Sequence, residues 1–539
     1  MVGLLAANAA TASAQLWGTS VPVTNTVVSQ PSAGGGYPVP PGQTAPDPGT
    51  CRAGQYNSNF SESWIAVRPG TERLVGTSKF FFETFSTFYD FHLGSFTIEN
   101  GAPLAANQVQ GYDCTTIRPG ELVQDMPPSW TNNTDPNADF DTQGRVYQVT
   151  LPFNAFWANL HPNSEIDISY SDDLGRHWVK GNGGQPLEHA PNWSAKSLGF
   201  VEDKQWVAVN HIPGNRFQDH VYAAWAIYNG QNTKIRVAVS RDRGLSFADA
   251  ETISVPSEIG PVTEFVYPAV DAAGNVYLSV ASDKPTGNDQ KTIYVTRSTD
   301  DGVTWSQFMP VVQARQLPGC CLPNTTFRDG ILEHFTASPN YPGHLYVVWE
   351  DWDGSQYDVK FSQSTDFGST WSAPIRVNDN ANPTATDQFQ PQVAAGPGGA
   401  VAVNFYDRRA PCPADPSVLP ADVGRHNFCI DVSLQAFRDS GAGAVPVGGN
   451  VRASQFTWDP EQPGQTIGGV DQMACAAHQD PCTTRAFIGD YFGLAISGQN
   501  VYTLGVSTHY PSGATADGGG PVYYQQQVLE TVSRAALSL

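Results

Sequence analysis

Carboxylates recur at the starts of strand-like segments along this chain: Glu62, Asp135, Asp203, Glu264, Glu333 (beside His334), Asp387 and Asp490. Gathered at one point, such groups support two kinds of chemistry. Several together bind a hard cation such as calcium through oxygen ligands, which would make Asp135 and Asp387 metal ligands. Alternatively, crowding raises the pKa of one carboxyl and leaves another ionised, supplying an acid and a base for glycosidic cleavage. On that reading Asp203, Glu264 and Asp490 are catalytic candidates. The stretch "NFYDRR" adds Tyr406 as a fourth, together with Arg408; "TTFRDG" supplies Arg328, and "GDYFG" sets Tyr491 beside Asp490. An arginine fork grips a carboxylate bidentately, so Arg328, Arg408 and Tyr491 are candidates for holding an acidic sugar. A surface salt bridge is the competing role for each arginine, and a core position for each tyrosine. There is no CxxC, HExxH, GxSxG or phosphate-cradling glycine loop to suggest other chemistry.

What would bring these side chains together is a repeat. The octapeptides "SDDLGRHW", "SRDRGLSF", "STDDGVTW" and "STDFGSTW" begin at residues 171, 240, 298 and 364, at intervals of 69, 58 and 66. Their fixed positions are Ser171, Asp173, Gly175 and Trp178; Ser240, Asp242, Gly244 and Phe247; Ser298, Asp300, Gly302 and Trp305; and Ser364, Asp366, Gly368 and Trp371. Ser and Asp side chains bond the amides of their own turn, and Gly takes a positive φ. The terminal aromatic covers the hairpin. The octapeptide is therefore frame rather than catalyst. Each copy follows a strand-like run such as "KIRVAVS", itself preceded by one such as "HVYAAWAI" and, earlier, by an inner strand. The unit is a four-stranded antiparallel blade, and the chain an all-β propeller of seven blades, with six as the alternative. In a propeller the inner strands start around the mouth of a central channel, where the recurring carboxylates would meet.

These octapeptides resemble the Asp boxes (bacterial neuraminidase repeats) of the sialidase-like superfamily, over nearly the whole chain after residue 55. The resemblance implies a propeller and, among the uses of that fold, a glycan-active hydrolase or lyase. The early Phe-Arg-Ile-Pro-like motif of sialidases has no counterpart here. The nearest early arginine is Arg68 in "IAVRPG", so the site candidates above rest on position and not on inheritance.

Composition bounds the partners. With 51 acidic and 29 basic residues the net charge is −22, which argues against nucleic acid. No apolar run reaches the ~20 residues of a membrane span. Residues 1–14 read as the remnant of a secretory signal cleaved after Ala14. Residues 15–55 read as a Pro/Gly-rich segment, and 56–539 as one propeller with surface insertions at about 411–487. Eight cysteines fit an oxidising compartment. Cys412 with Cys429, and Cys475 with Cys482, could each close a local loop; Cys51 and Cys114 could staple the first unit. The expectation is a secreted, sialidase-like hydrolase with its site at the channel mouth. The alternative is a non-catalytic extracellular propeller, calcium-stabilised, that binds glycan, a protein or another cell-surface ligand, or self-assembles there.

Overall fold

The structure is a computed structural model that describes residues 16–29, 59–81, 91–109, 132–154, 163–189, 200–229, 232–287, 290–317, 322, 325, 327, 329, 333–380, 386–413, 429–460, 465–471 and 487–539. Seven antiparallel sheets form a seven-bladed β-propeller, six of four strands and one with two short outer segments. The inner strands are Phe60–Val67, Asn132–Phe140, Phe200–Val209, Thr263–Val270, Glu333–Ala337, Gln388–Ala395 and Gly493–Ile496. Each packs against the next, and the last against the first, closing the ring.

The second strand of each blade is sandwiched between neighbouring blades, and its sequence shows it. Val221–Ile227, "VYAAWAI", is buried at every position, a continuous apolar run and not an alternating one. The octapeptides connect third strands to outermost ones. In the first copy the Ser171 hydroxyl accepts the Gly175 N–H (2.9 Å) and the Asp173 carboxylate accepts the His177 N–H (2.9 Å). The same serine-to-glycine bond recurs at Gly244, Gly302 and Gly368. All four glycines have φ between 76° and 84°. Gly175 also presses on the preceding blade, where an added Cβ would lie 2.6 Å from Ser95 Oγ. The octapeptide is thus both a turn and a contact between blades.

One expected boundary is corrected. Within the supposed Pro/Gly-rich segment 15–55, Val23–Val27 is the outermost strand of the last blade, antiparallel to Gln526–Ser533 with Val27 opposite Val528. Trp17, ahead of it, is buried against the sixth blade and donates its indole N–H to Ser433 Oγ at 2.7 Å. The two ends of the chain therefore close the propeller between them, which local composition does not reveal.

Cys412 and Cys429 form a disulfide across a separation of 17 residues. Cys51, Cys114, Cys320, Cys321, Cys475 and Cys482 lie outside the described residues, as does the proposed signal remnant. Among the described residues, no helix is long and apolar enough to cross a membrane.

Candidate functional site

Five inner strands carry a β-bulge near the channel mouth, between Ser61 and Trp64, Thr134 and Asn137, Asp203 and Trp206, Glu264 and Val266, and Phe389 and Gln392. Each bulge forces one non-glycine residue to positive φ: Glu62 (50°), Asp135 (51°), Lys204 (52°), Phe265 (53°) and Gln390 (48°). Bulges re-aim side chains, and an extra residue in the strand shifts which groups face the axis. In the last blade Gly489 takes the positive φ (100°), in so tight a contact that a Cβ would sit 2.3 Å from the Glu62 nitrogen. Asp490 follows it.

Two residues past the bulge, the chain delivers aromatics to the axis. Trp64, Trp206, Tyr267 and Tyr491 meet His334 there, with Trp64 and Trp206 centroids 4.6 Å apart, Trp206 and Tyr267 4.9 Å, and Tyr267 and His334 4.8 Å. All five are buried, so this cluster fills the channel instead of leaving it open. Burial holds the His334 imidazole down at about 3, and its Nδ1 accepts the Val393 N–H at 3.2 Å. His334 is neutral packing, not a proton shuttle near neutral pH.

Above the aromatic floor lies a charged cluster. Lys204 Nζ stands 2.6 Å from Asp490 Oδ2 and 3.3 Å from Asp135 Oδ2. Lys79 Nζ stands 2.8 Å from Glu62 Oε2 and over the Phe487 ring. The Thr134 hydroxyl links the two pairs, 2.7 Å from Asp135 Oδ1 and 3.1 Å from Glu62 Oε2. The Lys204 backbone N–H donates to Asp203 Oδ1 at 2.8 Å.

The carboxyls are driven apart in acidity. Burial, then Asp135, pushes Glu62 up to about 8 against the pull of Lys79. Burial also opposes ionisation of Asp135, but Lys204 and Lys79 outweigh it and hold that carboxyl at about 2. Asp203 is raised by burial to about 6, with Lys204 opposing and Asp135 adding to the rise. Burial likewise opposes the charge on Lys204, yet Asp135, Asp490 and Asp203 keep it well above its usual range. Next to this cluster is a small recess that encloses about 10 Å³, room for a single water. Its polar wall is Asp135, Lys204 and Gln205; Trp206, Phe265, Val266, Tyr267 and Tyr491 complete it.

The structure brings Asp135, Asp203, Asp490 and Tyr491 together here. Tyr491 is fully buried and its hydroxyl donates to the Pro136 carbonyl at 3.3 Å. Glu264 holds the backbone position equivalent to Asp203, directly before its bulge residue; its side chain and Arg328 lie outside the described residues.

Asp387, Arg408 and Tyr406 are not part of the cluster. Asp387 precedes the Gln390 bulge by three residues and pairs with Arg408, Oδ2 to Nη1 at 2.7 Å, both side chains fully buried. Tyr406 is the penultimate residue of the sandwiched strand Ala400–Asp407 and stacks on Phe492 at 4.1 Å, with no exposed surface. The equivalence of acidic strand starts is corrected by the same geometry: the bulge residues are Glu62 and Asp135 but Lys204, Phe265 and Gln390 in later blades. Arg68 is at the opposite end of its inner strand from Glu62 and donates to the Gln143 carbonyl.

Calcium does not fit the cluster. The Lys204 ammonium occupies the point on which the Asp135 and Asp490 oxygens converge, and Asp387 has its own arginine. Among the described residues, no group of three or more His, Cys, Asp or Glu could hold a metal ion. Lys79, Lys204 and Thr134 are the participants that a search for carboxylates overlooks. The one available signal is "EDKQW", a lysine next to an acid just before an aromatic at an inner-strand start.

The class that fold and site define is a seven-bladed propeller with a lysine-bridged carboxylate cluster at a plugged channel mouth. No protein-family model matches the chain, and no curated protein does. Among solved structures it is similar to a protein of unknown function from Dyadobacter fermentans, with TM-score 0.41 and 12% identity over 95% of this chain and 99% of that one. A leech intramolecular trans-sialidase gives TM-score 0.41 and 10% identity, over 65% of each chain. A Hadza microbial sialidase gives TM-score 0.40 and 12% identity, over 85% of this chain and 76% of that one.

Proposed function

We propose that this protein is a secreted, glycan-active propeller, a glycoside hydrolase whose acid–base pair is Asp203 and Asp135 at the channel mouth. The observation that carries the reading is the separation of the two carboxyls by environment, about 6 for one and about 2 for the other, around the one ammonium of Lys204. Asp203 retains its proton in mildly acidic solution and can give it to the leaving glycosidic oxygen. Asp135 stays ionised and takes the opposite role, as base or nucleophile, with Asp490 as a neighbouring carboxyl. Lys204 fixes both Asp135 and Asp490 in place by ion pairing. Trp206, Phe265 and Tyr267 are buried beneath these carboxyls and keep their surroundings apolar. The four octapeptides and their likeness to Asp boxes support the same class. Export is supported by the Cys412–Cys429 disulfide and the strongly acidic composition.

The test is hydrolysis of a panel of chromogenic glycosides at pH 4–6 by the wild type, Asp203→Asn and Asp135→Asn. The reading predicts turnover by the wild type and a loss of ~10²–10⁴-fold in each variant. Full turnover in both variants, with folding intact, would place the chemistry elsewhere. No turnover of any glycoside by the wild type would leave a binding propeller.

A further inference from the structure

The outer edge of the second blade is made of two short pieces, Val179–Lys180 and Glu188–His189, laid on the third strand Asn163–Ser171. Between them the chain crosses to the third blade. The Asn182 and Gly183 N–H groups donate to the Gly244 and Leu245 carbonyls at 3.0 and 2.9 Å, and the Phe247 N–H donates to Asn182 Oδ1 at 3.0 Å. Arg236 of the third blade adds an ion pair to Glu188, Nε to Oε2 at 2.9 Å. Residues 179–189 thus tie the two blades together, yet each end of the tie is held by a ladder of only two residues.

Beneath the tie, every element packed there brings a titratable group. Glu165 and Asp167 come from the third strand, Glu202 from the start of the next inner strand, and Lys180 and His189 from the tie itself. His189 Nδ1 is 3.0 Å from Glu165 Oε2, and Lys180 Nζ is 3.1 Å from Asp167 Oδ1 and 3.9 Å from Glu165 Oε1. Glu202 accepts the Ser164 hydroxyl, and its own N–H donates to Ser164 Oγ at 2.9 Å. All three acidic residues are buried, whereas the His189 side chain is 42% exposed. Any further negative charge under the tie is set beside Glu165 in a place shielded from water, where it is costly.

Acidity follows from that arrangement. Burial, then Glu165, raises Asp167 to about 7 against the pull of Lys180, and burial raises Glu202 to about 7. The bond to Glu165 raises His189 above its usual value, against the effect of burial. All three groups titrate higher in the closed edge than in an unfolded chain. Their stabilisation of that edge is therefore complete in acid and lost as pH rises through about 7. Two negative charges appear and one positive charge goes, all around the same Glu165.

We propose that residues 179–189 are a pH-operated clasp across the seam of the second and third blades, shut in mild acid and released above neutral pH. Glu202 directly precedes Asp203, so the clasp borders the candidate acid, but the inference does not depend on the hydrolase reading.

The experiment is hydrogen exchange read by mass spectrometry on the full chain at pH 5 and pH 8, corrected for the intrinsic pH dependence of exchange. Peptides covering 179–189 are compared with the strand Val221–Asn229. Opening releases a proton from each raised carboxyl, which shifts the opening equilibrium by up to about tenfold per pH unit for each. The expected result is at least ~30-fold less protection of 179–189 at pH 8, with a change of under ~threefold in the reference strand. In the double variant Asp167→Asn, Glu202→Gln neither carboxyl can charge, and the loss should shrink by about tenfold or more. Equal protection of 179–189 at the two pH values would overturn the inference. So would an undiminished loss in the double variant, or a loss shared by the reference strand. The wild-type comparison decides alone if the double variant does not fold.

Discussion

Lys204 holds the candidate site together from a backbone position that costs energy to occupy. Its φ of 52° is in the left-handed region, where a non-glycine residue costs ~1–3 kcal/mol. The return is an ammonium aimed at Asp135 and Asp490. Replacing it, Lys204→Met, leaves two mostly buried carboxyls without their counterion. We expect a loss of ~3–5 kcal/mol in urea-induced unfolding. The Asp135 carboxyl should also rise from its depressed value of about 2, because the opposing cation is gone and burial remains. The acid limb of the pH–rate profile then moves upward, a readout that simple destabilisation would not produce. The sequence hides this residue because a bulge moves the axis-facing position by one residue from Asp203 to Lys204. Tyr406 and Arg408 were misplaced for a related reason: "NFYDRR" is a second-strand end buried between blades, not a channel-mouth loop.

At the level of elements, the octapeptide turns are where sequence and structure agree most closely. The serine, aspartate and glycine positions each have a local bond or dihedral to satisfy, and such local rules are legible without tertiary knowledge. Their docking on the preceding blade is not local and was not visible. The difference can be measured with two alanines. Gly175→Ala combines a φ of 76° with a Cβ 2.6 Å from Ser95 Oγ, whereas Gly183→Ala at φ 61° meets open space. The first should cost ~2–4 kcal/mol and the second ~1 kcal/mol. Equal melting temperatures for the two variants would show that the turn does not bear on the neighbouring blade. The closing strand Val23–Val27 is not legible locally, because its partner is some 500 residues away and its flank is rich in Pro and Gly. Deleting residues 1–27 exposes a sheet edge on the last blade. We expect a lower melting temperature and faster proteolysis near Gln526–Ser533, with unchanged proteolysis arguing against closure by this strand.

Across the whole molecule, several buried carboxyls share one direction of shift. Burial raises Glu62 and Glu530 to about 8, Asp167 and Glu202 to about 7, and Asp203 to about 6. Unfolded carboxyls titrate near ~4, so between that value and 6–8 the native state binds more protons than the unfolded one. Their contribution to stability is complete below about 4 and is lost as pH rises through 6–8. Asp135, held at about 2, and the depressed Asp301 and Asp439 act oppositely and lose stability as pH falls below the usual carboxylate range. Melting temperature should therefore peak in mild acid and fall toward pH 8; a maximum at pH 8 would contradict this balance. The seven-bladed ring itself was readable from four repeats and their spacing, whereas the meeting of Asp135, Lys204 and Asp490 from three blades depended on strand register. The measurement that bears most directly on the central claim is the pH dependence of kcat/KM for whichever glycoside the wild type cleaves. The account predicts a bell in the acid range, falling above about 6 as Asp203 loses its proton and below about 2 as Asp135 gains one. An alkaline limb unchanged in Asp203→Asn, or a rate still rising past pH 8, would contradict the assignment of acid and base at the channel mouth.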